Sequence, residues 1–381
     1  MDKIKKLRYA VKIFAVILVM SSMFILASCD LLDNSQNTND NTTTNNTTNN
    51  NTTNNNTTNN TTNNNTDDDD DNGDDDSRNN EMRVYFLDVG QGDAVFIRFP
   101  GGETMLIDAG RWNLTHNAFR RRIREFFPDQ ERMQFDWFIT THSHADHIGS
   151  ADFIVNNSYI RNIVRPITFT QAEVSSGAYR DFGISPGSAR MQQTATFQRF
   201  VTAMETSRWI DGSDTNIYIP MAGKYFYVGS LGSRARVTFY SPTTYNYNPN
   251  TNTFNVNHYS TIFCIYFAGQ RIMFTGDAYY INEQNVLDSL PRNVNVLDVG
   301  HHGSSTSSGQ TFLDHIRPTY AIIQVGTTST GNGYGHPHQV VLNRFLAMDT
   351  IIKRTDQLGD ILIQICLETS RKRVGALVPA Y

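Results

Sequence analysis

From Met82 onward the chain alternates short β-rich apolar runs with clusters of turn residues. Val84–Leu87, Ala94–Arg98 and Thr104–Ile107 read as strands, separated by Gly90, Gln91, Gly92 and Asp93 and then by Pro100-Gly101-Gly102. Phe119, Ile123, Phe126 and Phe127 fall at helical spacing, with Arg120, Arg121, Arg122 and Arg124 on or beside the polar face. Phe135–Thr140 is a strand that runs into a histidine-rich segment. Later strands are expected at Arg236–Tyr240, Thr261–Phe267, Arg271–Thr275, Val294–Val299, Tyr320–Val325 and Ile361–Leu367, and helices at Asn282–Ser289, Thr311–Ile316 and Gln339–Asp349. Strands lead each half and helices mix in later, which predicts an α/β fold with sheets packed together and helices outside. Residues 168–220 carry a weaker pattern. A helix is expected around Ala189–Ser207, within a stretch that reads as an insertion over the site. Cys264 and Cys366 lie in apolar runs and read as buried free thiols.

The first 80 residues stand apart. Residues 30–80 hold no aromatic residue and only Leu31 and Leu32 as aliphatics, too little to offset the entropy of ordering. Residues 34–66 are an Asn/Thr tract, and Asp67–Asp71 and Asp74–Asp76 follow. We read the acidic run as a solvated spacer rather than a calcium loop, with a typical tether span of ~40 Å. Ahead of it, Lys3, Lys5, Lys6, Arg8 and Lys12 precede an apolar run, Ile13 to Ala27, that is short against the about 20 residues of a bilayer span. Leu26-Ala27-Ser28-Cys29 resembles the lipobox of bacterial lipoproteins. That resemblance implies a signal peptide over 1–28, a lipidated Cys29 opening a linker over 29–80, and a domain over 81–381 at the extracellular face of the cell membrane. An uncleaved signal anchor is the alternative and places the domain on the same side.

Charge follows these divisions. The net charge is −5, but residues 1–28 carry +4 and residues 30–80 carry −10, leaving +1 on the rest. A near-neutral domain argues against a strongly basic nucleic-acid surface overall, though not against a locally positive one. Three cysteines exclude a disulfide-dense scaffold and a four-thiolate zinc module.

The histidines carry the chemical signal. His142, His144, Asp146 and His147 fall within six positions, directly after a strand. His142 and His144 point the same way in extended chain, and Asp146 and His147 then project from the turn toward a second point. Such a set suits two adjacent metal ions with nitrogen and oxygen ligands. His258 precedes a strand, Asp277 ends one, His301 and His302 end another, and His336 and His338 lie in a glycine- and proline-bearing loop. Eight of the ten histidines fall in these groups.

These segments, FLDVGQGDA (86–94), LIDAG (106–110), THSHADHIGS (141–150), FTGDA (274–278), LDVGHHGS (297–304), YGHPH (334–338) and RTDQLG (354–359), resemble the metallo-β-lactamase superfamily. Within it they are most similar to the extracellular hydrolase domain of the DNA-uptake protein ComEC and its stand-alone relatives. The resemblance implies a four-layer αβ/βα sandwich and two divalent metal ions, zinc first and manganese as the alternative. It assigns His142 and His144 to one metal, with His258 as candidate third ligand. It assigns Asp146 and His147 to the other and Asp277 as bridge. One of His301 and His302 should bind the second metal while the other faces substrate, so that Asp146, His301 and His302 make up the catalytic set. Asp88 and Asp108 resemble acids that orient the metal-binding loop. His336 and His338 resemble site-rim residues. Ser304 opens a hydroxyl-rich run, Ser304–Ser308, that could donate to a phosphate or cap a helix. Tyr240–Tyr247 could stack bases, although a plain loop is the favoured reading.

Two positions depart from the pattern: Ser305 and Gly333 stand where relatives commonly carry Lys and Arg, so two candidate phosphate-binding charges are missing. The expected activity is that of a metal-dependent phosphodiesterase or nuclease acting on extracellular DNA. An envelope phosphodiester of phosphocholine or teichoic-acid type is the other substrate option. A non-catalytic surface-binding lipoprotein on the same fold is the alternative class.

Overall fold

The computed structural model describes residues 80–111, 116–182, 184, 190–191, 194–243, 255–367 and 372–376. The signal segment, Cys29, the linker with its acidic run, and residues 244–247 of the tyrosine-rich stretch lie outside the described residues.

Strands fall in chain order as β1 Glu81–Phe86, β2 Val95–Arg98, β3 Thr104–Ile107, β4 Met133–Ile139, β5 Ser158–Val164, β6 Thr168–Phe169, β7 Arg190–Met191, β8 Asn216–Tyr218 and β9 Tyr225–Val228. They continue as β10 Ala235–Phe239, β11 Phe263–Phe267, β12 Gln270–Phe274, β13 Val296–Asp298, β14 Tyr320–Ile323, β15 Ile351–Arg354, β16 Ile361–Cys366 and β17 Lys372–Ala376. The first sheet runs β17-β16-β1-β2-β3-β4-β5-β8, the second β15-β14-β13-β12-β11-β10-β9, and β6 with β7 forms a small separate pair.

Alternation within the strands explains the layering. Met82, Val84 and Phe86 of β1 point to the same face as Val95 and Ile97 of β2. They meet Val237, Phe239, Phe263, Ile265, Ile272 and Phe274 of the second sheet in one core between the sheets. The other face of the first sheet, with Phe96, Leu106, Phe135 and Phe138, packs on the helices His116–Glu125, Ala151–Asn156 and Ala195–Glu205. The outer face of the second sheet, with Met273, Leu297 and Ala321, packs on Tyr280–Val286, Gln310–Ile316 and Gln339–Leu346. This is the expected α/β four-layer sandwich.

Residues 168–220 differ from expectation. Ala195–Glu205 begins later than Ala189, where Thr194 accepts the Phe197 N–H as a cap. Its apolar stripe, Phe197, Phe200, Val201 and Met204, joins the outer layer of the first sheet. Among the described residues none of 168–220 lines the metal cleft: Ala195–Glu205 adds to the helical layer, and Ile167, Phe169, Tyr179 and Ile184 form a small separate cluster with Tyr259. Arg165, fully buried, anchors the segment by pairing with Glu173 and donating to the Thr168 carbonyl. Cys264 is buried and Cys366 half-buried; both are free.

Parallel pairing positions the site. β3, β4 and β5 run parallel in the first sheet, as do β12, β13, β14 and β15 in the second. The loops leaving the carboxyl ends of β3, β4, β12 and β13 therefore meet at one edge of the sandwich.

Candidate metal centre

Each loop brings a distinct ligand. Thr140 and Thr141 follow β4, and the extended residues to His144 precede the short helix Ala145–Ile148. His142 and His144 come from the extended part and Asp146 and His147 from the helix. Two residues past β12 stands Gly276, whose φ of +48° turns Asp277 back into the edge. A Cβ on Gly276 would lie 2.8 Å from both Cβ and Oγ1 of Thr141, so glycine is required here by space as well as by conformation. After β13, His301 (φ 53°) and His302 (φ 54°) both adopt left-handed backbone. Such strain in two successive non-glycine residues persists where surrounding structure imposes it. The His301 N–H donates to the Gly276 carbonyl at 2.9 Å, tying this turn to the Asp277 loop.

The ligand atoms converge in two groups. In the first, His142 Nε2 lies 3.1 Å from His144 Nδ1 and 3.5 Å from Asp277 Oδ2. In the second, His147 Nε2 lies 3.1 Å from Asp277 Oδ1, and His302 Nε2 lies 3.4 Å from Asp146 Oδ2 and 3.8 Å from Asp277 Oδ1. Asp277 thus turns one oxygen to each group. The structure separates the two adjacent histidines. His302 is buried with Nε2 in the second group, whereas the His301 side chain is 20% exposed, lines the cleft and holds Nε2 3.5 Å from Asp277 Oδ2.

Support comes from behind the rings. Asp108 Oδ2 lies 2.8 Å from His147 Nδ1, and the same carboxylate accepts from the Thr141 N–H and Oγ1 at 2.7 Å. His302 Nδ1 lies 2.9 Å from the Gln324 carbonyl and 3.1 Å from Asp93 Oδ1. Gln324 in turn donates to Asp298 and accepts from the Ala94 N–H, joining the loops of both sheets behind His302.

Electrostatics match the geometry. Burial opposes charge on His147 and His302, but the carboxylates of Asp277, Asp93 and, for His147, Asp108 outweigh it and raise both rings well above their ordinary value. Burial would raise Asp277, yet the charges of His147, His142 and His302 hold it well below the usual carboxylate range. Asp146 is likewise lowered, against burial, by its bond to His302 and the charge of His147. His144 is pushed down to about 4 by burial and by His142. Asp298, by contrast, is raised well above its ordinary value by burial and by Asp93.

The residues present fit divalent metal. His147 Nε2, His302 Nε2 and Asp277 Oδ1 are buried without a hydrogen-bond partner, although each faces the others. Leaving such groups unpaired is costly, and a cation with nitrogen and oxygen ligands satisfies all three. His142, His144 and Asp277 form a second cluster of cation-ligand type. Asp93, His147 and His302 also lie close together, but Asp93 meets the Nδ1 edges of both rings, so it stands behind them.

The expected residues do not all converge. His258 is exposed, with its ring against Tyr279 and its carbonyl accepting from Asn282; the structure leaves it outside both groups. The short helical turn Val256–Tyr259 directs its buried neighbour Asn257 into the cleft instead. Asp88 is exposed and caps the Gly90 N–H, so it does not touch the ligand rings; Asp93 takes that place. His336 lines the cleft with Nδ1 3.4 Å from Gln91 Nε2, and burial and neighbouring histidines push its pKa to about 4. His338 stands off the cleft and accepts the Ser305 N–H at 2.9 Å. Ser304 is buried and faces Thr306, which also meets His301 Nδ1. Sequence reasoning did not single out Asn257, Gln324 or Arg111. Nothing in their local spacing marks them, since their roles arise from chain-distant contacts.

The cleft above the groups has a volume of about 370 Å³. Arg111 and Tyr334 stand on its rim, and Arg111 donates to the Gly331 carbonyl at 3.2 Å.

Residues 87–173 and 253–326 match the family model of the Metallo-beta-lactamase superfamily. The chain carries a metallo-β-lactamase domain, and its homologues include proteins named ComE operon protein 3, competence protein ComA and recombination protein 2. ComE operon protein 3 of Bacillus subtilis is 26% identical over 296 residues, covering 74% of this chain and 33% of that protein. Recombination protein 2 of Haemophilus influenzae is 24% identical over 277 residues, covering 73% of this chain and 28% of that protein. The chain thus spans about a third or less of the length of these relatives. Among solved structures, the metallo-beta-lactamase fold protein YhfI from Bacillus subtilis aligns at 11% identity and a TM-score of 0.43, over 74% of this chain and 99% of that one.

Proposed function

We propose that the chain is a two-metal phosphodiesterase, anchored outside the cell through lipidated Cys29, that acts on extracellular DNA. The observation that carries the hydrolytic part is the convergence of the buried, unpartnered atoms of His147, His302 and Asp277 beside the His142 and His144 group. His142, His144 and Asp277 would hold one ion, and Asp146, His147, His302 and Asp277 the other, with zinc preferred over manganese by the imidazole content. Bound there, a divalent pair activates water near neutral pH and offsets the charge that develops during hydrolysis.

The chain's own groups do the rest. Asp108 and the Gln324 carbonyl accept from the Nδ1 edges of His147 and His302, which keeps each Nε2 directed inward. His301 stands at the cleft wall with Thr306 on its Nδ1, placed to donate a hydrogen bond to a leaving oxygen, while burial lowers its pKa. Arg111 supplies the rim with a cation suited to a phosphate, a role that Ser305 and Gly333 cannot fill. Homologues named for competence and recombination support a nucleic-acid substrate, and the lipobox-like Leu26-Ala27-Ser28-Cys29 supports the anchor.

The test is hydrolysis of single-stranded DNA, double-stranded DNA and bis-p-nitrophenyl phosphate by the zinc- or manganese-loaded protein, beside an Asp277→Ala control. DNA cleavage lost in the control is the expected result. Turnover of the small diester without DNA cleavage moves the substrate to an envelope phosphodiester. Undiminished activity in the control removes the site.

A further inference from the structure

The outer face of the second sheet carries a row of side chains in which Tyr and Arg alternate across four strands. β9 pairs Tyr227 with Arg236 of β10, Arg236 pairs with Tyr266 of β11, and Tyr266 pairs with Arg271 of β12. Directly opposed residues share a face, so the four form one row, about 14 Å long at the usual strand spacing. Their strand neighbours Phe226, Val237, Ile265 and Ile272 point the other way, into the core between the sheets. The Arg236 guanidinium lies 4.4 Å over the Tyr225 ring, and that of Arg234 lies 4.1 Å over Tyr227. Tyr225 is 48% exposed and Tyr227 44%.

Charge singles out the same region. From Thr215 to Gly276 the sequence holds no Asp or Glu, while Lys224, Arg234, Arg236 and Arg271 give it +4. The ion pairs of the described residues involve none of these four. Of these four, Arg234, Arg236 and Arg271 share the face of the Tyr row, and none of them lines the metal cleft. Rings that accept bases beside guanidinium groups that accept phosphates are the elements of single-strand binding. A lipid surface could use both features, so vesicle binding is measured beside oligonucleotide binding.

We propose that this face binds a single-stranded polynucleotide at its β9–β10 edge, with phosphates at Arg234 and Arg236 and bases on Tyr225 and Tyr227. The site lies beyond the hydrolytic cleft and holds whether or not that cleft cuts DNA.

The experiment is fluorescence anisotropy of dye-labelled oligo(dT) of about 20 nucleotides with the full chain, in excess chelator so that no strand is cut. Arg234→Glu with Arg236→Glu should weaken binding at least tenfold and flatten the salt dependence by about 0.7 in log–log slope per lost phosphate contact. Tyr227→Ala should weaken it about tenfold, and Tyr227→Phe, which keeps the ring, should restore it. Arg236→Lys keeps the charge and the fold, and should retain most of the salt dependence. Unchanged affinity in the double variant overturns the proposal, as does a wild-type protein that binds phosphatidylglycerol vesicles but not the oligonucleotide. Failure of hydrolysis in the earlier assay with intact binding here would remove the catalytic reading alone.

Discussion

Asp108 holds His147 through a single contact, Oδ2 to Nδ1 at 2.8 Å. Because the carboxylate accepts from that edge, the opposite nitrogen keeps its lone pair for the space shared with Asp277. Asp108→Asn tolerates the residue's left-handed backbone (φ 54°). It removes the charge that orders the ring and Thr141. We expect metal affinity to fall about 10- to 100-fold with the fold intact, measured by zinc retention against a graded chelator. Wild-type retention would mean that Asp108 serves the loop and not the ligand.

His258 and His302 give opposite expectations. His302→Ala removes a ring whose Nε2 faces both Asp146 and Asp277, and should abolish one bound ion. His258→Ala removes an exposed ring and should leave metal content at the wild-type level. Elemental analysis of both variants decides it, and a metal loss in His258→Ala would restore that residue to the ligand set.

Backbone geometry at Gly276 is equally exposed to test. Gly276→Ala must place its Cβ against Thr141 in a conformation that alanine disfavours, and should destabilise the protein by about 1–3 kcal/mol. Urea denaturation of the metal-free protein reads this directly. A neutral effect would show that the loop can relax without Thr141.

Glu283 sets a pH dependence away from the metal groups. Burial pushes its carboxyl up to about 7, although the N–H groups of Ser308 (2.6 Å) and Gly309 (2.9 Å) favour the charged form. The folded state therefore keeps a proton that the unfolded state releases above its ordinary value of 4.5. Stability from this group is fully present below that value, declines as pH rises through the window up to about 7, and is level above it. Glu283→Gln cannot ionise, so the difference between wild type and variant should narrow or reverse by about 3 kcal/mol between about pH 5 and about pH 8. Parallel pH profiles in denaturant melts would contradict this.

The layered fold was legible because its cause is local. Alternation in Val84–Leu87 or Thr104–Ile107 and the spacing of Phe119, Ile123 and Phe127 follow from each segment's need to bury one face. Ser158–Val164 escaped notice because a parallel strand flanked on both sides can carry Arg161 and Asn162 among its apolar residues. At the site, the HSHADH segment was readable because six consecutive positions supply four ligand-type groups. The choice between Asp88 and Asp93, or between His258 and Asn257, was not readable. Each pair is near in sequence; distant partners, Asp146 and Gln324, fix the backbone that turns Asp93 to the rings, and the Asn255-capped turn sets Asn257 toward the cleft.

Asp277 turns one carboxylate oxygen to each of two ligand groups in one cleft. Metal stoichiometry of the purified protein, read by elemental analysis before and after Asp277→Ala, tests it most directly. Two divalent ions per chain in the wild type, falling below one in the variant, is the predicted result. An equal metal content in both proteins, or none in a wild type prepared without chelator, would contradict it.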